Sequence, residues 1–267
     1  MKKVLTIAGS DCSGGAGIQA DIKTITMQGC YAMSAITALT AQNTTAVFDI
    51  VQISDDFIEK QLDCIFTDIF PDAVKIGMLS GDNSAKIIAN KLKFYKAKNI
   101  VTDPVMVSTS GSRLISEQSV DMLKKYLFPL SAIITPNIFE AEILCGFKIV
   151  TVSDMEKSAQ IIAEKYSCAV LCKGGHLQDC SDDVLYYNGK LYNFPSEKID
   201  NPNTHGTGCT LSSAIASNLA LGYDIVTAVK FAKSYVTSAI NAKLDIGKSR
   251  GPLMHNFALN DKKGYCR

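Results

Sequence analysis

Val4-Leu5-Thr6-Ile7-Ala8 runs without a break into Gly9-Ser10-Asp11-Cys12-Ser13-Gly14-Gly15-Ala16-Gly17. Five apolar or β-branched residues followed at once by a glycine-rich polar loop read as an interior strand that ends in a sharp turn. Met1-Lys2-Lys3 in front of it imitates a secretion signal, but the apolar run stops at Ser10-Asp11, too short for export, so a cytoplasmic protein is expected. Working outward, Ser34–Thr40, Ala73–Ile76, Ile100–Thr102, Ala132–Thr135 and Ala169–Cys172 repeat the pattern, with amphipathic stretches between them. Such a βαβα rhythm predicts an α/β fold whose mostly parallel central sheet carries helices on both faces. Asn188-Gly189, between the alternating runs Val184–Tyr187 and Lys190–Tyr192, signals an antiparallel hairpin at one edge. A helix is expected to begin at Ser84, and two more over Thr210–Ala220 and Ile225–Ala242, the last with Asp224 as N-cap.

No Gly/Pro/Ser-rich linker or repeat divides the 267 residues, so one domain is expected over 1–259, followed by a polar tail over 260–267 that frays. The 27 basic and 26 acidic side chains nearly cancel, which removes any global attraction to nucleic acid or anionic lipid, so no nucleic acid and no membrane partner is expected. No stretch has the roughly 18 continuous apolar residues of a membrane helix. Nine cysteines, an odd number with no CxxC pair, argue for reduced thiols. Cys168 and Cys172 sit in an alternating strand pattern and read as small buried hydrophobes, and with three histidines a structural zinc site is not expected.

In an open parallel sheet, ligands lie beyond the carboxyl ends of the strands. Here those ends read Gly9–Gly17, Gln42-Asn43, Gly77-Met78, Asp103-Pro104, Thr135-Pro136-Asn137 with Glu140 beyond, and Lys173-Gly174-Gly175-His176. The first loop has neither the dinucleotide fingerprint nor a Walker A lysine, and a plain structural turn is an equal reading of it. Asn203-Thr204-His205-Gly206-Thr207-Gly208-Cys209-Thr210-Leu211-Ser212 is a glycine-bearing loop feeding an apolar helix, where free N–H groups and the helix dipole form an anion cradle. Cys209 falls in the first turn, where the same field lowers a thiol pKa, although a buried structural Cys is an equal reading. A strand-end Asp, a second carboxylate, a Lys and an anion cradle are the parts that phosphoryl transfer needs. Singly, Asp103 could cap a turn, Glu140 could be a first-turn helix acid and Lys173 a surface cation.

Ala8–Asp11 with Gly14–Asp21, Thr40–Thr44, Lys75–Leu79, Asp103–Met106, Thr135–Glu140, Lys173–His176 and Asn203–Ser212 together resemble the hydroxymethylpyrimidine and phosphomethylpyrimidine kinases of thiamin biosynthesis. These belong to the ribokinase-like superfamily, and the resemblance runs from about residue 4 to Phe257. It implies a single ribokinase-like α/β domain, a homodimer, that uses ATP and magnesium to phosphorylate 4-amino-5-hydroxymethyl-2-methylpyrimidine and then its monophosphate. It further implies Cys209 as the base, with Gly206, Thr207 and Gly208 completing the anion hole. Lys173, Asn137, Thr204 and Asp103 would serve ATP, and Asp103 and Glu140 would organise the metal. Gln42 would read the aminopyrimidine edge, Asp21 would sit near the substrate's polar groups, and Gly9, Met78 and Val105 would contact its ring. Val107–Arg113 is polar and glycine-bearing and reads as a flap or a solvated loop. The alternatives are a pyridoxal or dual-specificity kinase and a ligand-sensing module without catalysis; a nicotinamide oxidoreductase is disfavoured by the missing fingerprint.

Overall fold

Alternate residues of the short apolar runs face different cores. Leu5 and Ile7, Val74 and Ile76, Ile100, Ile134, Val170 and Cys172 point into one hydrophobic cluster, while Val4, Ala73, Val101, Ile133, Ala169 and Leu171 point into another. A strand buried on both faces in this way reads as an unbroken apolar run rather than an alternating one. The computed structural model describes residues 1–106, 116–175, 182–196 and 199–259. Within them the strands are β1 (Lys3–Asp11), β2 (Tyr31–Gln42), β3 (Val47–Gln52), β4 (Ala73–Ile76), β5 (Ile100–Thr102), β6 (Ile133–Ile134), β7 (Ala169–Cys172), β8 (Asp183–Tyr187) and β9 (Lys190–Phe194). They form one sheet in the order β3-β2-β1-β4-β5-β6-β7-β8-β9. The pairs from β2 through β7 are parallel, and β2–β3, β7–β8 and β8–β9 are antiparallel.

Helices α1 (Gly17–Met27), α7 (Thr207–Leu221) and α8 (Ile225–Asn241) cover one face. On the other lie α2 (Asp55–Asp68), α3 (Ser84–Phe94), α4 (Glu117–Met122), α5 (Ile138–Cys145) and α6 (Val152–Tyr166). Helix α7 is buried on every side from Thr210 to Ala220, and its small residues let it lie between α1, α8 and the sheet. Asp224 caps α8, accepting from the Thr227 N–H at 3.0 Å. The β8–β9 turn places Asn188 at φ 51° and Gly189 at φ 73°, the left-handed pair that a two-residue hairpin of this hand demands.

The single-domain α/β fold with a mostly parallel sheet is as expected, but antiparallel strands decorate both ends rather than one. β3 went unread because its Val47, Phe48, Ile50 and Val51 are 50%, 69%, 51% and 57% exposed, so neither an alternating nor a buried run marks it. The described cysteines form no disulfide. Among the described residues no helix is long and apolar enough to cross a membrane, and no group of three His, Cys, Asp or Glu side chains is placed to hold a metal. The Val107–Arg113 segment expected as a flap, His176 and the 260–267 tail lie outside the described residues.

Candidate active site

The parallel strands end at one rim, and the start of α7 is laid across it by glycines. Gly206 has φ +83°, and a Cβ there would fall 1.9 Å from the Gly15 carbonyl oxygen, so only glycine lets this loop dock on the β1–α1 loop. Gly206→Ala is therefore expected to cost at least about 2 kcal/mol, from the left-handed backbone and the clash; an unchanged urea midpoint would contradict the packing. Helix α7 begins with no side-chain cap, and while the Thr207 N–H turns back to the Thr204 carbonyl at 3.3 Å, the amides of Gly208 and Cys209 in the first turn are the ones an anion could take.

Beneath that turn lies an ion pair. Lys173 Nζ donates to Asp103 Oδ1 at 2.7 Å, and a Cβ on Gly208 would sit 3.4 Å from both Asp103 Oδ2 and Lys173 Nζ. Thr135 also donates to Asp103 Oδ1 at 3.1 Å. Glu140 is buried in α5, its oxygens accepting the N–H groups of Asn137 at 2.8 Å and Met106 at 3.2 Å, while the Asn137 side chain caps the helix in return. Burial pushes the Glu140 carboxyl up to about 7; Lys173 opposes this and the neighbouring Asp103 carboxylate adds to it. Two buried carboxylates against one ammonium leave negative charge in excess, and this donor set fits magnesium, which takes one or two carboxylates and keeps several waters. Asp103 and Glu140 are the residues that would hold it.

The thiol and the second buried pair depart from expectation. Burial pushes Cys209 up to about 11, the Lys75 ammonium pulling the other way, so the helix-start field does not lower it. The thiol is protonated at neutral pH. The Gly17 N–H points at its sulfur. Asp21 does not reach a ligand position: it is 0% exposed, its Oδ1 accepting from Lys75 at 2.9 Å and Ser213 at 2.7 Å, and its Oδ2 from Lys75 at 2.8 Å and Thr6 at 2.6 Å. Burial alone would lower the pKa of Lys75, but the Asp21 carboxylate outweighs it and holds the ammonium well above its ordinary value.

Gly9 and Gln42 lie toward the ends of β1 and β2, Met78 just past β4 and Val105 just past β5. A Cβ on Gly9 would meet Met78 Cε at 2.6 Å, and the Gly9 N–H donates to the Met78 carbonyl at 3.2 Å. Val105 faces a separate small recess with Gly77 and Leu79, which Gly9, Met78 and Gln42 do not line. Gln42 ends 3.1 Å from His205 Nε2, which lies 2.9 Å from Asp11 Oδ2. Burial would raise the Asp11 pKa, but hydrogen bonds from His205, Ser13 and Ala16 outweigh it and hold the carboxylate well below its usual range. Beside the α7 turn, a cavity of about 600 Å³ is lined by Lys173, Asn137, Thr204 and Thr207, with Leu211, Val236 and Ile240 as an apolar wall. The sequence reading missed that wall, because its residues are ordinary positions of amphipathic helices; His205 was quoted only as part of a loop, and nothing in its neighbours announces a partner 194 residues away.

The arrangement is thus a cavity of nucleotide size bordered by one anion-binding turn, with the buried Asp103–Lys173 pair beneath that turn. Residues 11–254 match the family model described as phosphomethylpyrimidine kinase. The chain is 44% identical over 255 residues to the hydroxymethylpyrimidine/phosphomethylpyrimidine kinase of Rhizobium meliloti, covering 94% of this chain and 96% of that protein. It is 46% identical over 259 residues to the thiamine biosynthesis bifunctional protein ThiED of Geobacter sulfurreducens; there 97% of this chain spans 53% of the longer protein. Among solved structures, the phosphomethylpyrimidine kinase of Clostridium difficile superposes with a TM-score of 0.82 at 48% identity, covering 90% of this chain and 100% of that one. A pyridoxal kinase of Staphylococcus aureus, in complex with AMP-PCP and pyridoxal, gives a TM-score of 0.89 at 37% identity over 97% and 94% of the two chains. With this identity along nearly its whole length, the chain belongs to the phosphomethylpyrimidine kinase family.

Proposed function

We propose that this protein transfers the γ-phosphoryl group of ATP to the hydroxyl of 4-amino-5-hydroxymethyl-2-methylpyrimidine, and a second one to the resulting monophosphate, for thiamin biosynthesis. The observation that carries the reading is the α7 turn lying directly on the Asp103–Lys173 pair, with the large cavity beside it and His205 of the same loop reaching Gln42. ATP occupies the cavity, its base against Leu211, Val236 and Ile240 and its phosphates toward Lys173, Asn137 and Thr204. The amides of Gly206–Cys209 hold the migrating phosphoryl group, which passes to the substrate oxygen as its bond to ADP breaks. The hydroxyl proton goes to Cys209 in its thiolate form as the new bond forms. Magnesium, where bound by Asp103 and Glu140, supplies charge neutralisation on the phosphates. Gly9, Met78 and Val105 enclose the ring, and the Gln42 amide, a donor and an acceptor side by side, matches an aminopyrimidine edge.

Phosphorylation of the pyrimidine alcohol by MgATP, followed by chromatography of the mono- and diphosphate, tests the reading. Turnover of pyridoxal alone, a reading favoured by the likeness to the pyridoxal kinase, would overturn it.

We place the enzyme in the cytoplasm as a homodimer joined through β3, whose exposed apolar residues lie on a free sheet edge that needs cover. Phe48→Asp with Ile50→Lys is expected to convert a dimer of this 28.8 kDa chain to monomers by light scattering; an unchanged mass would place the interface elsewhere.

A further inference from the structure

His205 lies between Asp11 and Gln42 in a network that none of the roles above uses. Its Nε2 is 2.9 Å from Asp11 Oδ2 and 3.1 Å from the end of the Gln42 amide. The ring packs on Gly15, where an added Cβ would lie 2.4 Å from its Cδ2, and the His205 backbone N–H donates to the Gly251 carbonyl at 3.1 Å. Asp11 also accepts from the Gly15 and Ala16 N–H groups, at 3.2 and 2.9 Å, so its Oδ2 is an acceptor and His205 Nε2 must carry hydrogen. A protonated Nε2 cannot accept, and an amide nitrogen turned toward it would set two N–H donors against each other. The amide end beside His205 is therefore oxygen. Its other end lies 3.2 Å from Thr40 Oγ1, whose single hydroxyl hydrogen is already given to the Ser10 carbonyl at 2.9 Å, so that oxygen is free to accept from the amide nitrogen. Both contacts require the same orientation.

We infer that His205 is a positioning residue that locks the polarity of the Gln42 amide, and so sets the enzyme's preference for an aminopyrimidine alcohol over a pyridine alcohol. The inference rests on the proposed role of Gln42. With oxygen held on the His205 side and nitrogen on the Thr40 side, the amide keeps one acceptor and one donor valence in fixed order. An aminopyrimidine has an exocyclic N–H beside a ring nitrogen, the complement of that edge. Pyridoxal has a lone ring nitrogen flanked by carbon and leaves the acceptor unpaired, which is how a hydrogen-bonding site rejects an analogue. Without His205 the amide oxygen loses the donor beside it, and Thr40 Oγ1, 3.2 Å away, can turn its hydroxyl to that oxygen and hold the amide in the opposite order, which the substrate must then reverse.

The test measures His205→Ala, His205→Gln and Gln42→Leu, singly and combined, on the pyrimidine alcohol and on pyridoxal. His205→Ala is expected to raise KM for the pyrimidine alcohol about 10- to 100-fold, with kcat, KM for ATP and any pyridoxal turnover within about threefold. His205→Gln, which keeps a donor near the Nε2 position, should restore most of the loss. In a Gln42→Leu background His205→Ala should add little, because the two act through one interaction. Equal losses on both alcohols, a loss confined to kcat, or full additivity would overturn the inference. Nitrogen-15 spectra of the histidine side chains give a readout independent of activity: hydrogen on Nε2 of His205 is expected, and a neutral ring protonated only on Nδ1 would overturn the network. Failure of the native enzyme to phosphorylate the pyrimidine would sink the proposed function instead, and the spectra would still judge the network.

Discussion

Cys209→Ala is expected to lower kcat by about 10²- to 10⁴-fold, the range for loss of a general base, while KM for the pyrimidine alcohol stays within about threefold. The thiol sits where the α7 turn meets the Gly17 N–H, with burial holding its pKa up to about 11. At pH 7 the thiolate is then a minor form, and reaching it costs about 5 kcal/mol at 1.36 kcal/mol per unit. The sign of the pH dependence follows. Raising pH converts thiol to base, so between about pH 7 and 10 kcat/KM of the native enzyme should climb close to tenfold per unit, as expected for a group titrating at about 11. The alanine variant should lack that climb. A flat native profile would show that the sulfur does not act as a thiolate, and a loss confined to KM would make Cys209 a packing residue. Alkylation offers a second check: in the free enzyme Cys209 should react more slowly at neutral pH than the exposed Cys12 and Cys64.

The strand framework was legible because burial on both faces writes unbroken apolar runs; Ala73–Ile76, Ile100–Thr102 and Ala169–Cys172 begin and end where the structure has them. β3 was not, since a strand whose apolar side chains face outward leaves no period to read. At the site, local signals served well where the chemistry is local, as in the glycine-bounded start of α7 and the place of Glu140 in the first turn of α5. They failed where a side chain is defined by distant partners. Asp21 falls on the same helical stripe as Ile18 and Ile25, all three buried, and that spacing could have marked it as a core carboxylate. For Cys209 the helix start was legible, but the burial that pushes its thiol up to about 11 depends on distant packing and was not.

Lys75→Met is expected to cost about 3–5 kcal/mol of folding stability, read from the urea midpoint, because it strands a buried carboxylate. Lys75 and Asp21 are each 0% exposed, and their pair joins β4 to α1 while Thr6 and Ser213 tie the same carboxylate to β1 and α7. Removing the ammonium leaves Asp21 with two hydroxyl donors for a full negative charge. Lys75→Met with Asp21→Leu removes both charges and fills the space, so it should recover most of the stability. A single variant as stable as the native chain would mean that the pair is solvated or replaced by a proton, against the burial seen here. The double variant also separates folding from chemistry. On the Cys209 pKa the Lys75 ammonium acts downward and the Asp21 carboxylate, less strongly, upward, so a folded protein without the pair should need only a slightly higher pH to reach the same kcat/KM. An unchanged pH profile in that variant would confine Lys75 to holding the four elements together, and a displaced one would make the pair the electrostatic floor of the phosphoryl site.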